Sequence, residues 1–203
     1  MPTPLAHSIV SLTIVEKRRS SHHRWKWVFF WLMLGNFADL DFIPGILVGK
    51  PSQYHHGLTH SILFTILLSI VAYFFYPKLF KKEKASFGLF VGVAFSHLLL
   101  DMVTRDAVAP CGLPLWWPFS SISVRAPFSI FLNVNRSVHC HILFSQHNLL
   151  AISLELAFTL PFYLLIYVQK RLKGKGIIPF SFVDFFHRYV NMKMVKKWNP
   201  HTK

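Results

Sequence analysis

Apolar stretches long enough to enter a bilayer alternate along this chain with clusters of Lys and Arg, and that alternation limits the fold more than any other feature. Five of the 22 Lys and Arg fall in 16–27, four in 78–84 and nine in 169–203, against one (Lys50) in 48–60 and three (Arg105, Arg125, Arg136) in 104–147. Positive residues gather in cytoplasmic loops. Segments 16–27, 78–86 and 169–203 are therefore expected inside, and 48–60 and 104–147 outside. Between them lie four apolar segments: Trp27 to Val48, Ser61 to Tyr76, Phe87 to Val103 and Asn148 to Val168. Lipid offers no partner to a bare backbone, so each is read as a helix. The expected fold class is all-α: an integral membrane helical bundle of about four transmembrane helices.

Only 15% of the residues are charged, well below the quarter or so usual in soluble domains. The net charge of +14 would suit nucleic acid, but its placement beside apolar segments suits anionic lipid better, so no nucleic-acid partner is expected. Residues 1–168 are read as one membrane-embedded domain. Residues 169–203 are read as a basic cytoplasmic tail, in which Phe180, Phe182, Phe185, Phe186 and Tyr189 suggest an amphipathic helix on the cytoplasmic face, with a solvated, partly disordered tail as the alternative.

Local signals refine these segments. Pro4 to Val15 is too short to span and is followed, not preceded, by Lys17, Arg18 and Arg19, which argues against a signal peptide. It reads as a short N-terminal helix dipping in from the outer side. Thr59 is expected to cap a helix opening at His60, Pro77 and Lys78 to stop it, and Pro161 to kink the last span. Trp116 and Trp117 read as interfacial aromatics. Cys111 and Cys140 fit either one disulfide or two thiols.

Three polar islands break the apolar pattern: Asp39-Leu40-Asp41, His55-His56-Gly57-Leu58-Thr59-His60-Ser61, and Ser96-His97 through Asp101. Ionisable groups inside or against a span are costly and mark function. Imidazoles with carboxylates are a donor set for zinc or manganese. At 1.5 Å per residue, Asp39 stands about 18 Å and Asp41 about 21 Å above Trp27, with His97 about 16 Å and Asp101 about 22 Å above Ser86. His60 is about 27 Å above Lys78, and His7 about 15 Å above Lys17. These heights put the groups in the outer half of the layer, in a cavity expected to open outward.

Spacing adds detail. His97 and Asp101, at i and i+4, share a helix face, as a chelating or a hydrogen-bonded pair. Asp39 and Asp41, at i and i+2, point about 200° apart on a regular helix and could face one ion only if the backbone unwinds. Pro44 and Gly45 just beyond make a break plausible. Two carboxylates so close repel unless a cation or proton lies between them. A lone histidine on an apolar helix is more often a satisfied core residue. His22 and His23 read as surface residues; His139, His141 and His147 read as solvated loop residues or a second outer cluster.

Together the islands resemble the LexA-regulated, membrane-bound metal-dependent hydrolase family of bacteria and archaea. Its pattern of a DxD segment, H-R-G-x-T-H-S, S-H-x-x-x-D and a Pro/Gly-rich loop ending in Leu-Trp-Pro reads here as Asp39-Leu40-Asp41, His55 to Ser61, Ser96 to Asp101, and Cys111-Gly112-Leu113-Pro114-Leu115-Trp116-Trp117-Pro118. His7, in Ala6-His7-Ser8, also matches. His56 stands where the family usually has Arg, and Ala38 where it has Pro. These motifs are in turn distantly similar to those of zinc-dependent phospholipase C. The resemblance implies a multi-pass enzyme of the cell inner (cytoplasmic) membrane with a cytoplasmic C-terminus, hydrolysing an ester or phosphoester, such as a phospholipid, in contact with membrane lipid. The implied cofactor is a divalent metal, zinc first, with manganese or magnesium as alternatives. His7, Asp39, Asp41, His55, His60, His97 and Asp101 would be ligands or immediate partners, and Asp39 or Asp41 the general base toward metal-activated water. No P-loop or serine-nucleophile motif is present. Rival readings are a transporter or ion/proton-conducting protein using the same cluster, and a non-catalytic membrane protein with a structural metal.

Overall fold

The computed structural model describes residues 2–18, 24–49, 55–81, 83–105, 112–135 and 144–174. The expectations for His22, His23, Cys111, Cys140, His139, His141 and the tail from 175 onward lie outside them. The described residues are helical, without a strand: α1 (Pro4–Val15), α2 (Arg24–Asn36), α3 (Phe42–Leu47), α4 (Ile62–Leu79), α5 (Phe87–Met102) and α6 (Gln146–Gly174). Short 3-10 turns cover Glu16–Arg18, Phe37–Asp41 and Leu58–His60.

The bundle of α1, α2, α4 and α5 follows from the stripe each helix buries. On α1 the buried residues include His7, Ser11 and Val15, four apart. On α2 they are Trp27, Trp31, Leu34 and Gly35. On α4 they are Thr65, Ser69, Ala72 and Tyr76, mostly small, which lets α5 approach closely. On α5 the stripe changes character along its length, from Phe90 and Val93 to His97 and Asp101. Because α2 and α5 run against α1 and α4, like ends meet. One end is apolar: Val15, Trp27, Trp31, Tyr76, Phe80 and Phe90 form the core cluster, with Phe30 edge-on to Trp31, Tyr76 and Phe80 as aromatic quadrupoles prefer. The opposite end collects the histidines and aspartates. The apolar end is also where α1 and α4 finish and α2 and α5 begin, so the Lys/Arg clusters at 16–27 and 78–84 flank it.

Among the described residues, three helical stretches are long and apolar enough to cross a membrane: Arg24–Leu47, Ile62–Leu79 and Gln146–Gly174. The expected fourth, α5, is apolar but shorter, 16 residues, where a full span needs about 20. The outer faces of α4 and α6 leave Leu67, Phe74, Phe75, Phe162 and Leu165 exposed, which in water would be a liability and in lipid is not.

Two helix-end expectations are corrected. The cap of α4 is Ser61, whose hydroxyl accepts from Phe64 N at 3.1 Å; Thr59 lies inside the preceding 3-10 turn and turns its hydroxyl to Asp41 instead. Pro77 does not stop α4, which continues to Leu79 and closes with Phe80 N donating to Tyr76 O at 2.9 Å. Proline gives up its own N–H bond and crowds the carbonyl four residues back, and α4 bears that cost only in its last turn.

The long connection after α5 folds back on the polar end. Leu113 and Val124 exchange backbone hydrogen bonds of 2.8 Å, and Leu115 O accepts from Ile62 N at 3.0 Å. Leu113 and Leu115 thereby pack on Leu98; Trp116 and Trp117 stay exposed. Packing divides the chain into two units, Met1–Tyr163 and Leu164–Lys203. Within the described part of the second, Arg171 stacks over Tyr167.

Candidate functional site

The break expected near Asp39 and Asp41 is present. A 3-10 turn over Phe37–Asp41 separates α2 from α3, and the two carboxylates leave it for different partners. Asp41 Oδ1 lies 3.0 Å from His55 Nδ1. Its Oδ2 accepts from Thr59 Oγ1 at 2.8 Å and Gly57 N at 3.4 Å, and lies 3.1 Å from His60 Nδ1. Asp41 thus draws the 55–60 segment onto the bundle and turns the other nitrogen of His60 inward.

His97 is fixed in the same manner. Its Nδ1 lies 2.8 Å from Gly35 O; a carbonyl can only accept, so Nδ1 carries the proton and Nε2 points inward. Gly35 is required there, because a Cβ would lie 1.8 Å from Ser11 Oγ and 2.9 Å from Ser11 Cβ. Ser11 Oγ in turn donates to His7 O. His7, on α1, stacks on His97 with ring centroids 3.9 Å apart.

The inward-facing atoms form one cluster. His97 Nε2 is 3.3 Å from His60 Nε2 and 3.2 Å from Asp101 Oδ2, and His60 Nε2 is 3.4 Å from that same oxygen. Asp39 Oδ1 stands 3.6 Å from His97 Nε2 and 3.9 Å from His60 Nε2. His7 Nε2 lies 3.5 Å from Asp101 Oδ1. His7, His60, His97 and Asp101 are all buried.

This arrangement fits a divalent ion on three counts. Donors held about 2.0–2.2 Å from a tetrahedral zinc stand roughly 3.3–3.6 Å from one another, close to the separations just given. Two ligand-sized sets, His60/His97/Asp101 and His7/Asp39/His97, each bring their donor atoms within 4.8 Å of one another. Both ring nitrogens of His7 and both oxygens of Asp101 are buried without a hydrogen bond of good geometry, a cost that an ion would remove. The carboxylate behind His60 and the carbonyl behind His97 are partners of the kind that orient imidazoles in metal sites.

Charge in the 55–60 segment follows the same contacts. Burial works against a charged His60, but Asp101 and Asp41 outweigh it and raise its pKa to about 9. Burial lowers His55 to about 3 in spite of its bond to Asp41, so His55 is a neutral donor.

Of the seven residues named from the sequence, the structure brings His7, Asp39, His60, His97 and Asp101 to one centre. It places Asp41 behind His60, and His55 behind Asp41. His55 also joins His56 and His60 in a third group of close donors, with His56 held at φ +61°. His147 stands apart, its Nε2 2.8 Å from Asn133 O, where it ties the long connection to the start of α6.

With that geometry described, comparison with known proteins decides the family. Residues 1–173 match the YdjM inner membrane protein family. The chain belongs to that family. The match takes in α1 to α5, α6 up to residue 173, and all seven residues. The chain is also similar to inner membrane protein YbcI of Escherichia coli (strain K12), 28% identical over 134 residues, which is 64% of this chain and 75% of YbcI. No solved structure matches the chain significantly. Family membership and the apolar helices agree on an inner membrane protein.

Sequence reasoning missed three contributors. Gly35 supplies a carbonyl, and nothing in the spacing ties position 35 to 97. Ser11 looks like any polar residue on a short helix. Glu155, inside a span, was detectable by that fact alone, but its partner is 152 residues away: its carboxylate accepts from Thr3 N at 3.0 Å and from Thr3 Oγ1, holding the start of α1.

Proposed function

We propose that the protein is a metal-dependent hydrolase of the inner membrane, acting on an ester or phosphoester. The observation that carries this reading is the convergence of three imidazoles and two carboxylates, from four separate segments, on one buried point. Zinc is the first choice of ion for such nitrogen and oxygen donors, with manganese or magnesium as alternatives. His60, His97 and Asp101 would hold it, with His7 completing the site. When bound, a divalent ion lowers the pKa of water toward about 7.

The chain's own residues then divide the work. Asp41 has both oxygens engaged by His55, Thr59 and His60 and orients; Asp39 stands nearer the centre and is the general base. It would take a proton from the attacking water as the water oxygen bonds to the carbonyl carbon or phosphorus, and that proton would serve the departing alcohol oxygen. The substrate is reached from the outer leaflet and the C-terminus lies in the cytoplasm, in keeping with the Lys/Arg clusters at the apolar end. The test is turnover of carboxyl- and phosphoester probes by detergent-solubilised protein, beside Asp39→Asn. Turnover abolished in Asp39→Asn with the ion retained supports the reading; bound ion without turnover of any ester in the wild type contradicts it.

A further inference from the structure

Beyond Asp101 the chain forms a second feature. A cavity of about 420 Å³ lies between the C-terminal end of α5 and the 125–129 segment, lined among others by Asp101, Thr104, Arg105, Arg125 and Ser129. That size falls in the range of small-molecule sites. Its walls are tied to the bundle by backbone bonds. Ala126 N donates to Met102 O at 3.2 Å, Ile130 N to Val103 O at 2.7 Å, and Arg105 N to Phe131 O at 3.0 Å. Gly112 closes another side at φ +101°, where a Cβ would lie 2.8 Å from Val124 O.

Charge gives the cavity a chemical identity. Segments 48–60 and 104–147 together hold four Lys or Arg, and two of them, Arg105 and Arg125, line this one cavity. They sit 20 residues apart in sequence and are brought together only by the return of the chain to α5. Among the described residues neither guanidinium forms an ion pair, and both are exposed. Asp101 is the acidic group in the lining, and its carboxylate is turned to His7, His60 and His97, which offset its charge. Two arginines in the lining of a polar cavity supply the planar forks that match a tetrahedral oxyanion.

We propose that this cavity seats the phosphoryl group of the substrate, with Arg105 and Arg125 as its clamp and Asp101 as the point where the cavity meets the buried cluster. The assignment rests on the hydrolase reading for the word substrate, and it narrows that reading from esters in general to phosphoesters. A carboxyl ester is neutral and would gain nothing from the arginines. The phosphoryl group can belong to a lipid head group or to a soluble phosphoester, and the two are separable.

The test is calorimetric titration of the full chain in an uncharged detergent with two probes, inorganic phosphate and dihexanoyl phosphatidate, with elemental analysis of each sample. The wild type is expected to bind both. Arg105→Ala and Arg125→Ala should each weaken phosphate binding by about tenfold, the loss of a charge-assisted contact, with zinc content unchanged. Should the double variant Arg105→Ala/Arg125→Ala fail to fold, Arg105→Gln, which keeps much of the side-chain length, repeats the test: about tenfold weaker binding supports the clamp, and unchanged binding overturns it. Tighter binding of phosphatidate than of phosphate identifies a lipid substrate; equal binding identifies a soluble phosphoester. A wild type that binds no phosphate, or a double variant that binds it as well as wild type, overturns the proposal. Phosphate binding through the arginines in protein that takes up no ion would overturn the metal reading and keep the clamp.

Discussion

At the scale of single residues the site separates groups that face the centre from groups that aim them. Asp101 and His97 face it; Asp41 acts through His60. Removing an outer partner of a metal-bound imidazole lowers affinity by about 10–100-fold. Asp41→Ala should therefore weaken zinc binding by that factor in a chelator-competition titration, while His97→Ala abolishes it; equal effects would contradict the division. The protonation of His60 gives a second expectation. Its pKa is raised to about 9, so in ion-free protein at neutral pH it carries a proton that an ion must displace. Zinc affinity should rise with pH up to about 9 and level off beyond, and binding at pH 7 should release protons, measured as a dependence of the binding heat on the ionisation enthalpy of the buffer. Binding at pH 7 with no proton release would contradict the geometry at His60. Spacing alone made some of this legible. His97 and Asp101 had to share a face, and Asp39 and Asp41 had to diverge unless the helix broke. Spacing could not say which aspartate the 55–60 segment would claim, because that choice depends on a contact across 14 or more residues.

At the scale of helices, the site depends on how closely α1 lies against α2. Gly35 sits where Ser11 passes, and its carbonyl fixes His97. Gly35→Ala should cost about 1–3 kcal/mol, as overpacking does, and lower the thermal midpoint and zinc affinity together. A variant with wild-type stability and zinc affinity would show that α1 does not need this approach. The start of α1 is held by Glu155. Glu155→Gln keeps the shape but gives up a charged acceptor that is buried to 1% exposure; a loss of about 1–3 kcal/mol is expected, read by chemical denaturation in detergent. The existence of these helices was legible from apolar length and from breaks in it. Their ends were not: Ser61 displaced Thr59 as cap because Asp41 had drawn Thr59 away, and Pro77 was tolerated because it falls in the last turn.

At the scale of the whole molecule, the four-helix packing sorts aromatic and basic residues to one end and the histidines and aspartates to the other. The positive-inside tendency leads us to expect the polar end on the outer side. In a background with Cys111 and Cys140 replaced, Ile122→Cys, at an exposed position of the long connection, should react with a membrane-impermeant maleimide in intact cells, and a cysteine at Lys17 should not. The reverse pattern would place the cluster and the arginine-lined cavity on the cytoplasmic side. The alternation of charge made the bundle legible. The cavity was not, because Arg105 and Arg125 meet only once the long connection has folded back on α5.

The central claim is that acids and imidazoles from four segments hold one kind of cation, and its most direct test is the zinc content of the purified chain after zinc exposure and dialysis, beside His60→Ala/His97→Ala. A stoichiometric ion in the wild type that disappears in the double variant is the predicted result. A wild type that retains no ion, or a double variant that retains as much as the wild type, would contradict it.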